Sequence, residues 1–203
     1  MTADSGADPA TDDREYVRRT LAGDDRAFAV LVARHGRGLY NLAYRMVRDG
    51  ETARDLVQEV FVRAHRSLAK YDPVYPFTSW IYRVASNLCI DHLRKRKLDT
   101  VSIDAPLSVG QDETVTRELP DDSADPARML EERERAELLA AALDKLPSAH
   151  RLVLVLRHQR DLSYEEISVA LDVPLGTVKA RIHRAREALR RILVRDYRME
   201  DLE

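Results

Sequence analysis

A chain of 203 residues, 44% hydrophobic and 33% charged, has material for one globular domain or two small ones with much exposed helix. The formal charge of −2 is near balance but unevenly spread, and Cys89, the only cysteine, rules out an internal disulfide or a cysteine-cluster zinc site. The N-terminus lacks the basic start and apolar core of a signal peptide, and the longest aliphatic run, Leu152 to Leu156, is far too short to cross a bilayer. A cytoplasmic protein without membrane insertion is expected.

Residues 1–13 are short, acidic and rich in Ala, Asp, Thr and Pro, and read as a disordered tail. A short helix is predicted over Arg14 to Ala22, ended by Gly23. Asp24 or Asp25 then caps a longer helix, in which Phe28, Leu31, His35, Leu39, Leu42 and Met46 recur at steps of three and four. Gly36 and Gly38 each weaken such a helix by roughly 1 kcal/mol relative to Ala, so a close packing contact is expected at both. His35 lies on the apolar stripe with no second ligand at helical spacing, which marks a core or interface histidine.

Asp49-Gly50 turns the chain into a third helix, Glu51 to Ala69. Ala53, Leu56, Val57, Val60, Phe61, Ala64 and Leu68 form its core face, and Asp55, Gln58, Glu59 and Arg63 lie opposite. Two prolines make Tyr71 to Pro76 a loop. The next helix, Phe77 to Lys97, turns Trp80, Ile81, Val84, Ala85, Leu88 and His92 inward. Arg83, Asn87, Asp91 and Arg94 recur along a polar flank. Five basic residues against one acidic give Arg83 to Lys97 a net of +4, which suits a helix laid along phosphates. Asn87 has the amide that reads a base edge by paired hydrogen bonds; local capping is an equal explanation from sequence alone.

From Leu98 to Pro126 there is no apolar period. Three prolines and a net charge of −7 between Asp99 and Pro126 predict an extended, flexible linker, hence two domains. A helix over Ala127 to Lys145 is expected to bury Leu130, Leu138, Leu139, Ala142, Leu143 and Leu146. Pro147 breaks it, and Ala149 to Arg157 follows with Leu152, Val153 and Leu156 inward.

Ser163 with Glu166 three residues on is a capping box and opens a short helix lined by Ile167, Ala170 and Leu171. Asp172-Val173-Pro174 cannot continue it, because proline lacks the donor and restricts the residue before it. A second helix of about 17–20 residues, about 25–30 Å long, starts near Leu175. Its apolar stripe is Val178, Ile182, Ala185, Leu189 and Ile192. Seven basic residues against Glu187 alone give Gly176 to Arg195 a net of +6. A basic helix behind a shorter one and a tight turn is the helix-turn-helix that enters the major groove.

The segment YEEISVALDVPLGTVKARIHRAREAL resembles the promoter-reading helix-turn-helix of the extracytoplasmic-function sigma factors, the smallest group of the sigma-70 family. DLVQEVFVRAHRSLAKYDP resembles the part of those proteins that docks on the coiled-coil clamp of RNA polymerase, and FTSWIYRVASNLCIDHLRKRK their downstream promoter-reading helix. The resemblance covers about residues 14–97 and 127–195, with the motifs in the right order. It implies an all-α protein of two small helical domains, 14–97 and 127–195, joined by the acidic linker 98–126, with tails at 1–13 and 196–203. By the same resemblance Asp55, Gln58 and Glu59 meet core RNA polymerase. Tyr75, Phe77, Thr78 and Ser79 belong to the loop that captures an extruded non-template base, Arg83 and Asn87 lie on the reading helix, and Arg94, Lys95, Arg96 and Lys97 hold phosphate. Thr177, Lys179, Ala180, Arg181, His183 and Arg184 face the upstream promoter element. Ala180 and His183 depart from the small polar and aromatic residues that relatives carry there. The implied partners are core polymerase, promoter duplex, its melted non-template strand and an anti-sigma factor.

No cofactor, metal or catalysis is implied. His35, His65, His92, His150, His158 and His183 are scattered, and there is no glycine-rich phosphate loop. The alternative is an autonomous helix-turn-helix regulator, which would bind as a dimer without polymerase; an enzyme acting on nucleic acid is disfavoured by the missing nucleophile or metal cluster.

Charge alone gives the linker a consequence. A flexible chain of that length spans on the order of 30 Å, so its carboxylates reach both basic helices and compete with phosphate, within screening of about 8–10 Å. Changing Asp104, Asp112, Glu113, Glu118, Asp121, Asp122 and Asp125 to Asn or Gln is therefore expected to strengthen polymerase-independent DNA binding in a low-salt anisotropy titration. Equal affinity would leave the linker a plain tether.

Overall fold

The computed structural model describes residues 12–102, 126–159 and 162–196. Eight helices are described: α1 (Asp13–Leu21), α2 (Asp25–Val47), α3 (Gly50–Ser67), α4 (Phe77–Ser102), α5 (Pro126–Asp144), α6 (Ser148–Gln159), α7 (Tyr164–Leu171) and α8 (Leu175–Asp196), with a 3-10 turn at Leu68–Lys70 after α3. Both tails lie outside the described residues except at their inner edges, as does most of the linker.

The helix starts follow from side-chain caps. Asp12, Asp24 and Asp49 each accept a hydrogen bond from a first-turn backbone N–H, of Arg14, Arg26 and Thr52. Ser163 and Glu166 form the reciprocal capping box, at 3.1 and 2.8 Å. Between α7 and α8 the break is made one residue earlier than proline would require. Asp172 takes the left-handed conformation, φ 52°, and the Val173 N–H reaches back to the Ser168 carbonyl. The Ser168 hydroxyl donates to the Val173 carbonyl at 2.6 Å and ties the turn.

α1 to α4 form the first half. Ala27, Leu31, Leu39, Leu42 and Met46 of α2 meet Ala53, Val60, Phe61 and Ala64 of α3 and Phe77, Ile81, Ala85 and Leu88 of α4. His35 is a core histidine as expected: its Nε2 lies 2.7 Å from Asp13 Oδ2 and anchors α1. Burial raises the Asp13 carboxyl, but His35 and Arg34 outweigh it and hold the group below the usual range. The expectation at Gly36 fails, since a Cβ there would meet nothing within 4 Å; only Gly38 is buried. Gly36→Ala should therefore stabilise the protein by about 0.5–1 kcal/mol. A lower urea midpoint for the variant would restore a packing role.

In the second half α6 and α7 pack on α8, and α5 lies against α8, with Lys145 paired to Asp196 at 2.8 Å. Leu139, expected in the core, is 41% exposed. Of the other described residues expected in this core, Ala142 and Leu146 are buried and Leu138 and Leu143 half-buried. Leu130 has no described side-chain placement.

Three further outcomes differ from the sequence expectation. α4 runs on to Ser102, five residues past Lys97, because nothing before Pro106 breaks a helix. Leu154 and Val155 of α6 are buried along with Leu152, Val153 and Leu156, so this helix is covered all round. The two halves are also in contact. α7 lies against α4 and α6 against α2 and α4, and Leu152, Val153, Val155, Leu156, Ile167 and Ala170 share one continuous apolar core with the first half.

Candidate nucleic-acid interface

Along α4 two stripes are buried. Trp80, Ile81, Ala85 and Leu88 of the expected one are buried, with Val84 and His92 half-buried; Ser79, Tyr82, Ser86 and Cys89 form a second that was not expected in the core. A helix covered twice has little room left for solvent. What remains open is the flank with Arg83 half-buried, Asn87 exposed, and Arg94, Lys95 and Arg96 exposed toward the C-terminus. Arg94 is paired with Asp91 at 2.7 Å, so it holds phosphate only by sharing or leaving that carboxylate. Lys97 lies in α4, without a described side chain.

The preceding loop is rigidly seated. Tyr71, Phe77 and Trp80 form an aromatic cluster with centroids 5.6 Å apart, and the His35 ring meets Phe77 at a tilt of 60° with centroids 5.3 Å apart. The Tyr71 hydroxyl donates to the Tyr75 carbonyl at 2.7 Å, and the Asp72 carboxylate accepts from the Val74 N–H. Val74 and Tyr75 are thereby left 74% and 46% exposed at the tip. Phe77 and Ser79 are corrected here: at 2% and 0% exposure they carry the loop from inside and cannot touch DNA in this conformation. Thr78 is half-buried. Val74, which the sequence reading passed over, is the most open apolar residue of the loop.

On α8 the stripe Val178, Ile182 and Ala185 is buried, and Leu189 and Ile192 are half-buried. The opposite side presents Lys179, Ala180, His183 and Arg184 exposed, with Thr177 and Arg181 half-buried. Arg184 lies back along the helix, its Nε donating to the Ala180 carbonyl at 3.3 Å, and must swing out to reach a base. The cationic face thus begins at Lys179, the fifth residue of α8, near the end that a helix-turn-helix inserts into the major groove.

On α3, Asp55 and Gln58 are exposed and Glu59 half-exposed, one helical turn apart on a single face. Glu59 accepts from Arg63 Nε at 2.6 Å. Val62, 41% exposed, sits seven residues from Asp55 and gives this face an apolar centre that the sequence reading had not singled out. Asp55, Gln58 and Glu59 are therefore brought together, whereas the two cationic faces lie on different halves.

Cys89 belongs to none of these surfaces. It is 1% exposed, and burial pushes its thiol up to about 12, the environment of an inert structural cysteine. In the native protein it is expected to resist a thiol reagent such as DTNB and to titrate as one thiol in denaturant. Fast labelling of the native chain would show that the α4 packing opens readily.

Two all-helical halves, one ending in a helix-turn-helix and each with an exposed cationic face, define a DNA-binding protein of bipartite construction. Comparison with known families specifies it. Residues 31–98 match Sigma-70 region 2 and residues 129–189 match Sigma-70, region 4. The ECF RNA polymerase sigma factor SigW of Bacillus subtilis (strain 168) is 36% identical over 180 residues, 89% of this chain and 96% of the relative. The RNA polymerase sigma-H factor of Pseudomonas aeruginosa is 34% identical over 89% of this chain and 93% of its own length. The chain belongs to the extracytoplasmic-function sigma factors of the sigma-70 family. Among solved structures, CnrH in complex with the cytosolic domain of CnrY superposes with a TM-score of 0.64 at 29% identity, over 91% of this chain and 98% of that one. The sigma factor RpoE of Bartonella quintana, in complex with the anti-sigma factor NepR, has a TM-score of 0.61 at 21% identity over 82% and 96%, a likeness of fold. No helix among the described residues is long and apolar enough to cross a membrane.

Proposed function

We propose that this sigma factor binds core RNA polymerase through the Asp55, Gln58, Glu59 face of α3. In that complex it reads and melts the downstream promoter element with α4 and its loop, and seats α8 in the major groove of the upstream element. Residues 14–97 and 127–195 act as the two promoter-binding units and 98–126 as the tether. The protein works in the cytoplasm as an initiation factor without catalysis of its own, and is held in check by a regulator protein of the anti-sigma kind. Family membership across both halves carries this reading, and the separate exposed cationic faces of α4 and α8 agree with it. That CnrH was solved with the cytosolic domain of CnrY supports the protein regulator.

The carboxylate face of α3 suits the polymerase role, because charge-assisted hydrogen bonds to arginines are about twice as strong as neutral ones. Extruding a base costs a few kcal/mol, which the loop tip at Val74–Tyr75 and phosphate contacts along α4 have to offset. In vitro transcription with purified core enzyme on a promoter library tests the proposal. Start sites that depend on both core and this chain are expected. Tight duplex binding without core, unchanged when core is added, would favour an autonomous helix-turn-helix regulator instead.

A further inference from the structure

The first helix has no part in the cationic faces, yet it is joined to both ends of the loop ahead of α4. At the exit of the loop stands Phe77, with the His35 ring against it at 5.3 Å. His35 is held in turn from α1: its Nε2 lies 2.7 Å from Asp13 Oδ2, while Asp13 Oδ1 accepts from Arg34 Nη1 at 3.1 Å. Asp13 opens α1, and both of its partners lie on α2. At the entrance stands Tyr71. Burial raises the pKa of its hydroxyl, against a hydrogen bond from Arg14 of α1. That hydroxyl donates its own proton to the Tyr75 carbonyl at 2.7 Å. A guanidinium can only donate and a phenol can do both, so the bonds run one way, from Arg14 through Tyr71 to Tyr75.

Tyr75 is thereby fixed at both of its backbone polar groups. Its carbonyl accepts from Tyr71, and its N–H donates to the Asp72 carbonyl at 3.2 Å. The Asp72 carboxylate also accepts from the Val74 N–H at 3.0 Å, an Asx turn. A residue bonded on both sides of its backbone cannot turn its ring inward without breaking one of those bonds. The Tyr75 ring therefore stays half-exposed at the tip, beside Val74. A loop held in this way meets a ligand without first having to be ordered.

The links from α1 add little to its own burial. Tyr16 and Val17 already cover the apolar side of that helix. Asp13 and Arg14 lie at its N-terminal end and bond toward the loop, each through a charge-assisted hydrogen bond, the stronger kind. α1 also precedes residues 31–98, the span matched to region 2, so these links come from a segment beyond that match.

We propose that α1 braces the loop that captures the extruded base, and that Tyr71, Arg14 and the Asp13–His35 pair are positioning residues for it. This rests on the reading above that the loop tip meets the non-template strand. The brace touches no DNA itself. It holds the two ends of the loop against the bundle and keeps Tyr75 turned outward.

Two measurements on the full-length protein test it. Trp80 is the only tryptophan and packs with Tyr71 and Phe77 at 6% exposure, so its emission reports how the loop is seated in the free chain. Asp13→Asn and Arg14→Gln are expected to red-shift that emission and to raise its quenching by acrylamide, with circular dichroism unchanged. The second measurement is transcription with core polymerase on a library of downstream-element variants. Tyr71→Phe keeps the ring and loses only the hydroxyl. It is expected to lower discrimination at one downstream position by about fivefold, the worth of one hydrogen bond. Arg14→Gln, at an exposed residue, should do the same more weakly. Upstream preference and co-purification with core should stay at wild-type values. A merely structural loss gives a different result, since fewer folded molecules weaken all promoters alike. Adding Tyr71→Phe to Tyr75→Ala should cost nothing further, because no ring is left to aim. Wild-type quenching in both α1 variants, a uniform loss across the library, or full additivity in the double variant overturns the proposal. Tyr75→Ala alone reports on the underlying reading: a wild-type library profile refutes base capture at this tip, and the Trp80 measurement then still decides whether α1 braces the loop.

Discussion

Reversing both carboxylates, Asp55→Arg with Glu59→Arg, is expected to abolish co-purification with core RNA polymerase and leave helical content unchanged. Asp55 is exposed and Glu59 is held by one exposed partner, Arg63, at 2.6 Å. An i,i+4 pair of that kind is worth about 0.3–0.5 kcal/mol, so losing it costs the fold little. The added like charges along α3 cost similar small amounts. Binding is another matter. Hydrogen bonds to charged groups contribute about 1.5–3 kcal/mol each, so removing two loses at least about 3 kcal/mol before any repulsion is counted, or more than about a hundredfold in affinity. Circular dichroism and gel filtration of the mixture separate the two effects. A folded double variant that co-elutes with core at wild-type yield sinks the assignment of this face.

Much of the local structure could be read from the chain because short-range chemistry decides it. Asp24 and Ser163 announce helix starts by offering an acceptor to orphan N–H groups, and each does so in the structure; Asp49, read only as a turn residue, caps α3 in the same way. The apolar stripes of α2, α3 and α8 are legible because their buried residues recur at the helical period on one side of each helix. Burial imposed from a second direction was the harder part. Ser79, Tyr82, Ser86 and Cys89 are small or amphipathic and fall on a side that one-sided periodicity assigns to solvent, yet all are covered once α4 is packed by α2, α3, α6 and α7. The same contact covers Val155, while Leu154 packs with Leu146 and Ala185 within the second half, and here the sequence held a signal: a run of five aliphatic residues marks a helix buried all round. Arg151 left no mark at all. A single arginine in an apolar helix looks like a surface residue until the carbonyls that it caps are brought to it from α2 and α5.

Promoter discrimination should divide between the two cationic faces, and single substitutions are expected to tell them apart. Lys179, Arg184 and Asn87 are all exposed, so changing each to Ala should alter stability by no more than about 0.5 kcal/mol. Arg184 is already bent back onto the Ala180 carbonyl at 3.3 Å, a bond long enough to give up when a base offers two acceptors. If Arg184 makes a bidentate guanine contact, Arg184→Ala loses about 1–3 kcal/mol, roughly 5- to 150-fold, at one upstream position and little elsewhere. Lys179 has an ammonium without a fork. Should it meet phosphate only, Lys179→Ala weakens all promoters alike and lowers the salt slope by about one. Asn87→Ala acts on the other half. It should change preference within the downstream element and slow opening of the bubble, leaving upstream preference intact, because the proposed reading sets α4 and α8 on different DNA. A promoter library transcribed with core and each variant, with permanganate footprinting of the bubble, reads all three outcomes. The helix-turn-helix then reads sequence if the Arg184→Ala profile changes at one base. If no variant shows any position-specific change, these side chains bind phosphate or serve the fold, and base readout belongs to other residues of α4 and α8.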